Sequence, residues 1–268
     1  MRLNQFLNES RSKEIKKIMF DKYLEQKCSS AVKWKTEIYR GVYPSPGEYG
    51  YVSPSKSKED RKSPYATNNV YNLLFSNLPS WSSYPKRNKS IICTTSKFVA
   101  LDSYGVPHRI FPFNGAKIGV CPEDDIWNSF KKLPMANLNE INVLVEKLAG
   151  QVGLEHSYDK SYSDLLKLFN IIDDHKINNK DRFLNDFEDR WSRTGQRYML
   201  MLSQMGYFDK PELKLIDLFN NVLSPLNNGF RLIVVGTVTL PSNVEVWTDS
   251  DSLLQRLYPG VICINEIN

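Results

Sequence analysis

A block with helical periodicity separates two strand-rich segments of this chain, and this arrangement restricts the folds that the chain can adopt. Within residues 125–221 apolar side chains recur at helical spacing, which predicts helices over roughly 138–152, 161–173, 180–204 and 211–223. The predicted strands are too few for a parallel βαβ series, and no glycine-rich phosphate turn follows any of them. We therefore expect an α+β fold in which a mixed or antiparallel sheet carries a helical insert or subdomain.

Short runs of β-branched and aromatic residues predict the strands on both sides of that block. They cover residues 36–42, 90–95, 109–113, 116–120, 230–240, 244–248 and 261–264, and further helices are predicted at 10–26, 69–78, 96–104 and 250–257. The rest of segment 43–90 is rich in Pro, Ser, Gly and Asn, which predicts a long loop. The expected organisation is a helical leader at 1–30, one domain in two halves at 31–124 and 226–268, and the helical block at 125–225.

The composition is typical of a globular protein, and its small excess of basic residues does not by itself indicate binding to a polyanion. Hydrophobic residues make up 41% of the chain and charged residues 24%, and 35 basic residues stand against 30 acidic ones. This balance is close to the globular average and allows a substantial core. The one local basic stretch, residues 53–62 with 85–89, is interpreted as a solvated loop, and nucleic-acid binding through it stays an alternative.

The cysteines form no CxxC pair and have no histidine at ligand spacing, so we expect no metal site. They are Cys28, Cys93, Cys121 and Cys263. No apolar run approaches the roughly 20 residues that span a bilayer, so no membrane insertion is expected. Without a secretion signal, the expected location is a reducing cytoplasm.

The three histidines are expected at the surface or at helix ends rather than in catalysis; they are His108, His156 and His175.

Three polar segments lie on or at the ends of predicted strands, where a scaffold presents reactive side chains. They are Tyr39-Arg40-Gly41, Thr94-Thr95-Ser96 and Asn243-Val244-Glu245. Arg40 lies in a largely hydrophobic strand and must pair with a carboxylate or meet an anion such as a phosphate. Gly41 allows a ligand to approach the backbone closely. Glu245, between two valines, is either an edge residue facing water or a buried acid retained for function.

Together these segments resemble, in the same order along the chain, the Arg, Ser-x-Ser, Glu-x-Glu signature of the arginine-serine-glutamate class of mono-ADP-ribosyltransferases. The aromatic-Arg-Gly element of that family is matched at Tyr39-Arg40-Gly41. Thr94 stands where the family has its first serine, and Asn243 stands where it has Glu or Gln. The resemblance implies a sheet of the ADP-ribosyltransferase type and the transfer of ADP-ribose from NAD to a host protein side chain, with release of nicotinamide.

The resemblance also implies a role for each matched residue. Arg40 would hold a phosphate of NAD, Gly41 would meet the nicotinamide amide, and Thr94 and Ser96 would position Glu245. Glu245 would stabilise the oxocarbenium-like charge that develops as nicotinamide leaves. Asn243 would lie on the acceptor side. The remaining NAD-binding candidates are the neighbours Tyr39 and Thr95, with Phe98 or Phe111 stacking on nicotinamide.

A non-enzymatic reading stays open beside this one. The opening residues 1–10 are similar to the leaders of proteins from large tailed bacteriophages, which implies expression in a host cytoplasm or packaging in a virion. In the alternative, the chain is a phage structural or host-interaction protein on a degenerate transferase-like scaffold. Arg40 and Glu245 would then form a cross-strand ion pair, and the hydroxyls would be ordinary strand residues.

Overall fold

A computed structural model describes residues 12–56, 69–103, 105–131, 138–154, 161–178 and 193–258. The chain divides into two compact units. The first, here the sheet unit, comprises Met1–Arg61, Tyr84–Asp124 and Arg231–Asn268, and the second, here the helical unit, comprises Lys62–Ser83 and Asp125–Phe230. Both units are therefore built from segments that are distant in sequence.

The sheet unit contains one antiparallel sheet formed by all the strands of the described chain. Its strands are β1 (Lys13–Glu14), β2 (Ile38–Val42), β3 (Tyr49–Val52), β4 (Ile91–Thr94), β5 (Val106–Pro112), β6 (Lys117–Val120), β7 (Arg231–Val234), β8 (Glu245–Thr248) and β9 (Ser252–Arg256). They lie in the order β1-β3-β9-β5-β2-β4-β8-β6-β7, and every pairing between them is antiparallel. The predicted α+β class with an antiparallel sheet is confirmed.

Three helices accompany the sheet within this unit: α1 (Lys17–Lys27), α2 (Ser29–Lys33) and α4 (Lys97–Ser103). Phe20 of α1 is buried and meets the ring of Phe111 edge-on, with 6.0 Å between ring centroids. Helix α4 packs on β2, β4 and β5. Both faces of the sheet contribute residues to the core. The neighbouring residues Ile110 and Phe111 point to opposite faces, and both are buried.

The helical unit contains α3 (Val70–Asn77), α5 (Asn139–Gln151), α6 (Tyr162–Asn178), α7 (Arg193–Gln204) and α8 (Leu215–Val222) among its described residues. Helix α3 packs on α5 and α6, and α6 packs on α8. Asp173 of α6 accepts hydrogen bonds from the Tyr207 hydroxyl at 2.6 Å and from the Leu215 amide at 3.0 Å. The hydrogen bond from Leu215 ties this carboxyl group to the start of α8. Burial raises the pKa of Asp173, because it disfavours the charged carboxylate.

One predicted helix is a strand, two predicted elements are shorter than expected, and strands β1 and β3 were missed. The helix predicted over 10–26 begins only at Lys17, and β1 occupies Lys13–Glu14. Residues 250–257 do not form a helix: β9 occupies them and pairs with both β3 and β5. The strand predicted over 230–240 ends at Val234, because the Thr237 amide bonds back to the Val234 carbonyl and Gly236 takes φ +85°. Strand β3 lies in the segment predicted as loop. The strand predicted at 261–264 and part of the helix predicted at 180–204 lie outside the described residues.

Candidate functional site

The three motif-bearing strands β2, β4 and β8 are neighbours in the sheet. Tyr39 lies directly opposite Thr94, and Thr94 lies directly opposite Glu245. Directly opposed residues on antiparallel strands project from the same face, with Cβ atoms roughly 4.5–5.5 Å apart. Tyr39, Thr94 and Glu245 therefore form one row across three strands, although they come from three distant stretches of sequence.

Arg40 projects from the opposite face of the sheet to Glu245. Successive residues of a strand alternate between faces, and Arg40 follows Tyr39 directly. Its side chain is buried, and its Nη1 donates a hydrogen bond to the Ile92 carbonyl at 2.5 Å. Across β5 its register partner is His108. The cross-strand ion pair between Arg40 and Glu245 that the non-enzymatic reading predicted is therefore not formed.

Glu245 instead makes an ion pair with Arg87. Nη1 of Arg87 lies 2.7 Å from Oε1 of Glu245, and the two side chains are only 9% and 14% exposed. The contact is an ion pair between a guanidinium and a carboxylate. The Cys121 thiol approaches the same oxygen, with Sγ 3.6 Å from Oε1. The candidate catalytic carboxylate is thus held through one of its two oxygens.

Packing around Trp247 fixes the segment that delivers Arg87. Arg87 begins a single-turn 3₁₀ helix, Arg87–Lys89, and its guanidinium carbon lies 5.5 Å from the centre of the Trp247 ring. The Trp247 Nε1 donates to the Pro85 carbonyl at 2.9 Å, and Tyr84 stacks on the same ring. A cation at this distance from an indole face is attracted by its quadrupole. Trp247 is consequently the platform that holds Arg87 beside Glu245.

The hydroxyl groups of the second motif are engaged with nearby backbone. Thr94 Oγ1 accepts from the Ser96 amide at 3.0 Å, and Ser96 Oγ accepts from the Val99 amide at 3.3 Å, which caps α4. Thr95 Oγ1 donates to the Pro241 carbonyl at 2.9 Å and accepts from the Val244 amide at 3.0 Å. These contacts organise the start of α4 and the turn before β8, and they give each hydroxyl a structural role.

The remaining candidates lie in different surroundings. Asn243 is exposed at the turn before β8 and adopts φ 59°, a left-handed conformation that Asn tolerates better than most residues. Phe98 is 64% exposed on α4, whereas Phe111 is buried in the core. The Tyr39 hydroxyl donates to Glu37, whose other oxygen pairs with Arg109 at 2.6 Å. Gly41, on the same strand, lies opposite Pro107 of β5.

Three residues near the motifs were not identified from sequence. Arg87 belongs to the stretch that sequence analysis interpreted as a solvated basic loop, but its side chain is buried beside Glu245. Cys121 was considered only as a metal ligand, and that role was not expected. His108, expected at the surface or at a helix end, is fully buried in β5, and burial lowers its pKa. Strand periodicity around residues 106–112 was the one local signal that could have placed His108.

The wider surroundings of the site offer no further assignment. Among the described residues, no group of three or more His, Cys, Asp and Glu side chains is arranged to hold a metal ion. None of the helices in the described part of the chain is both long and apolar enough to cross a bilayer.

No protein-family model matches the chain, and neither a curated protein nor a solved structure shows significant similarity to it.

Proposed function

We propose that this chain is an NAD-dependent ADP-ribosyltransferase whose sheet is of the ADP-ribosyltransferase type and whose reaction centre is Glu245. One observation carries the proposal: Thr94 and Glu245, from the second and third motifs, are register partners on adjacent strands, and the first motif lies on the next strand. Chance matches to three short motifs would not in general fall on three neighbouring strands.

The proposed reaction breaks the bond between C1′ of the nicotinamide ribose and the pyridinium nitrogen. The bonding electrons pass to the nitrogen, neutral nicotinamide leaves, and an acceptor nucleophile bonds to C1′ and loses its proton. Positive charge develops on the ribose as the bond breaks. The Glu245 carboxylate, 14% exposed and in one row with Tyr39 and Thr94, would stabilise that charge.

Arg40 and Asn243 have different standing in this proposal. Because Arg40 projects from the other face, the proposal depends on Glu245 and its register partner rather than on a phosphate contact at Arg40.

Asn243 is exposed two residues before Glu245, a suitable place to meet an incoming acceptor. A carboxamide has no basic group to accept the proton of the acceptor, so Asn243 does not act as a general base. A host protein side chain is the proposed acceptor.

Incubation of the protein with radiolabelled NAD and a bacterial lysate tests the proposal. We expect labelled protein bands, released nicotinamide, and a loss of about 100- to 1,000-fold in turnover for Glu245→Gln. Glu140→Gln is the matched control, since Glu140 is also an ion-paired carboxylate with a side chain 14% exposed, in the helical unit. Folded wild-type protein that neither labels a band nor releases nicotinamide would refute the proposal.

A non-enzymatic binding protein is the second candidate, and the ion pair itself favours it. Arg87 neutralises Glu245, and the three motif hydroxyls bond to backbone, as expected of a purely structural region. In that case Glu245→Gln would lower stability while leaving partner capture from a lysate unchanged. The NAD assay above separates the two functions, since only the enzyme releases nicotinamide.

A further inference from the structure

We infer that Arg87 is the positioning residue for Glu245, holding one carboxylate oxygen so that the other is directed at a ribose hydroxyl of NAD. This inference rests on the proposed function and adds a residue from outside the three motifs. It assigns to Arg87 the role that the family resemblance gave to Thr94 and Ser96.

The two oxygens of Glu245 have different surroundings. Oε1 receives both the Arg87 guanidinium at 2.7 Å and the Cys121 thiol at 3.6 Å. Oε2 accepts no hydrogen bond from any residue in the described part of the chain, and the side chain as a whole keeps 14% of its surface exposed. A carboxylate fixed at one oxygen and open at the other can receive a hydroxyl donor without changing its rotamer.

Arg87 is itself held firmly enough to orient another group. Its side chain is 9% exposed and lies against the Trp247 ring, which is anchored by its own hydrogen bond to Pro85. Trp247 also lies two residues after Glu245 on β8. The same strand therefore carries Glu245 and the ring against which Arg87 lies. The hydroxyls of Thr94 and Ser96 accept backbone amides at the start of α4.

Steady-state NAD cleavage by the full chain tests the inference. For Arg87→Ala we expect kcat to fall about 100-fold, the loss typical of a misplaced catalytic group, with KM little changed. Added guanidinium at millimolar concentration should restore part of the lost kcat by occupying the vacated space. A side chain with only a structural role would give neither the split between kcat and KM nor the chemical rescue.

Arg197→Ala is the matched control, because Arg197 forms an ion pair with Glu140 in the helical unit at 2.8 Å and should leave NAD cleavage unchanged. If Arg87→Ala does not fold, Arg87→Gln decides by the same measurements. A folded Arg87 variant with wild-type kcat overturns the inference while leaving the proposed function intact. Wild-type protein that does not cleave NAD overturns the proposed function and this inference together.

Discussion

At the scale of single residues, the ion pair between Arg87 and Glu245 is the most consequential contact of the sheet unit. Both side chains are nearly buried, so their charges have lost most of their hydration. Such a pair adds little net stability over an apolar pair of similar volume, but removal of one member leaves the other charge uncompensated. The contact therefore makes the fold sensitive to either substitution alone.

Arg87→Met should lower the free energy of unfolding by about 3–5 kcal/mol, because it leaves the Glu245 carboxylate without its countercharge. The double variant Arg87→Met/Glu245→Gln should recover much of this loss, since no buried charge remains. Urea denaturation followed by fluorescence measures both effects. Equal stability of the single and double variants would show that the two groups do not interact in solution.

Little of this contact could be predicted from sequence. The motif residues Arg40, Thr94 and Glu245 were identifiable because each lies at a predicted strand with a distinctive neighbour. Arg87 has no such neighbour: it follows Pro85 and Lys86 in a stretch whose composition indicates a solvated loop. Only the pairing of β4 with β8 brings its segment onto Trp247, and that pairing joins distant parts of the chain.

At the scale of elements, close contact between β6 and β8 depends on a glycine. Gly119 lies opposite Trp247, and a Cβ added there would lie 2.3 Å from indole ring atoms. The indole is almost fully buried, so it has little room to move away. This close packing explains a glycine in the interior of a strand, a position where it is otherwise unfavourable.

Gly119→Ala should therefore destabilise the protein by about 1–3 kcal/mol through overpacking. The effect should be smaller in a Trp247→Phe background, because a phenyl ring leaves space where the larger indole clashed. A double-mutant cycle of thermal or urea unfolding gives this coupling. Additive effects of the two substitutions would contradict the packing that the structure shows.

Local patterns predicted several helices closely. Helices α3, α4, α5 and α6 lie within a few residues of their predicted bounds or extend them, since an apolar stripe at helical spacing is a local property. Strand β9 was wrongly predicted as a helix because Ser250 resembles a cap and the leucines after it fit a helical stripe. Its hydrogen bonds to β3 and β5 decide the outcome, and sequence periodicity does not contain them.

At the scale of the whole molecule, His108 should make stability depend on pH. Burial is the main cause that lowers its pKa below the ordinary value of 6.5, so the unfolded chain binds the proton more readily than the native protein. Stability from this group is therefore fully present above pH 6.5 and is lost as pH falls through the lowered pKa. One such group contributes a slope of at most about 1.4 kcal/mol per pH unit.

His108→Gln should give a shallower decline in unfolding free energy between pH 7.5 and pH 5 than the wild type shows. His175→Gln is the control, since His175 is exposed on α6 and its replacement should leave the wild-type decline in place. Urea titrations at several pH values measure the slopes. Parallel slopes for wild type and His108→Gln would mean that His108 titrates alike in the native and unfolded states.

The strand order determines when the sheet can be completed during translation. Strands β8 and β9 lie in the interior of the sheet, and without them the remaining strands fall into three separate groups: β1 with β3, β5 with β2 and β4, and β6 with β7. A nascent chain cannot join all three groups until β9, which ends at Arg256, has left the ribosome. Until then their open edges are available for wrong pairing, so synthesis should expose this protein to chaperones for most of its translation time.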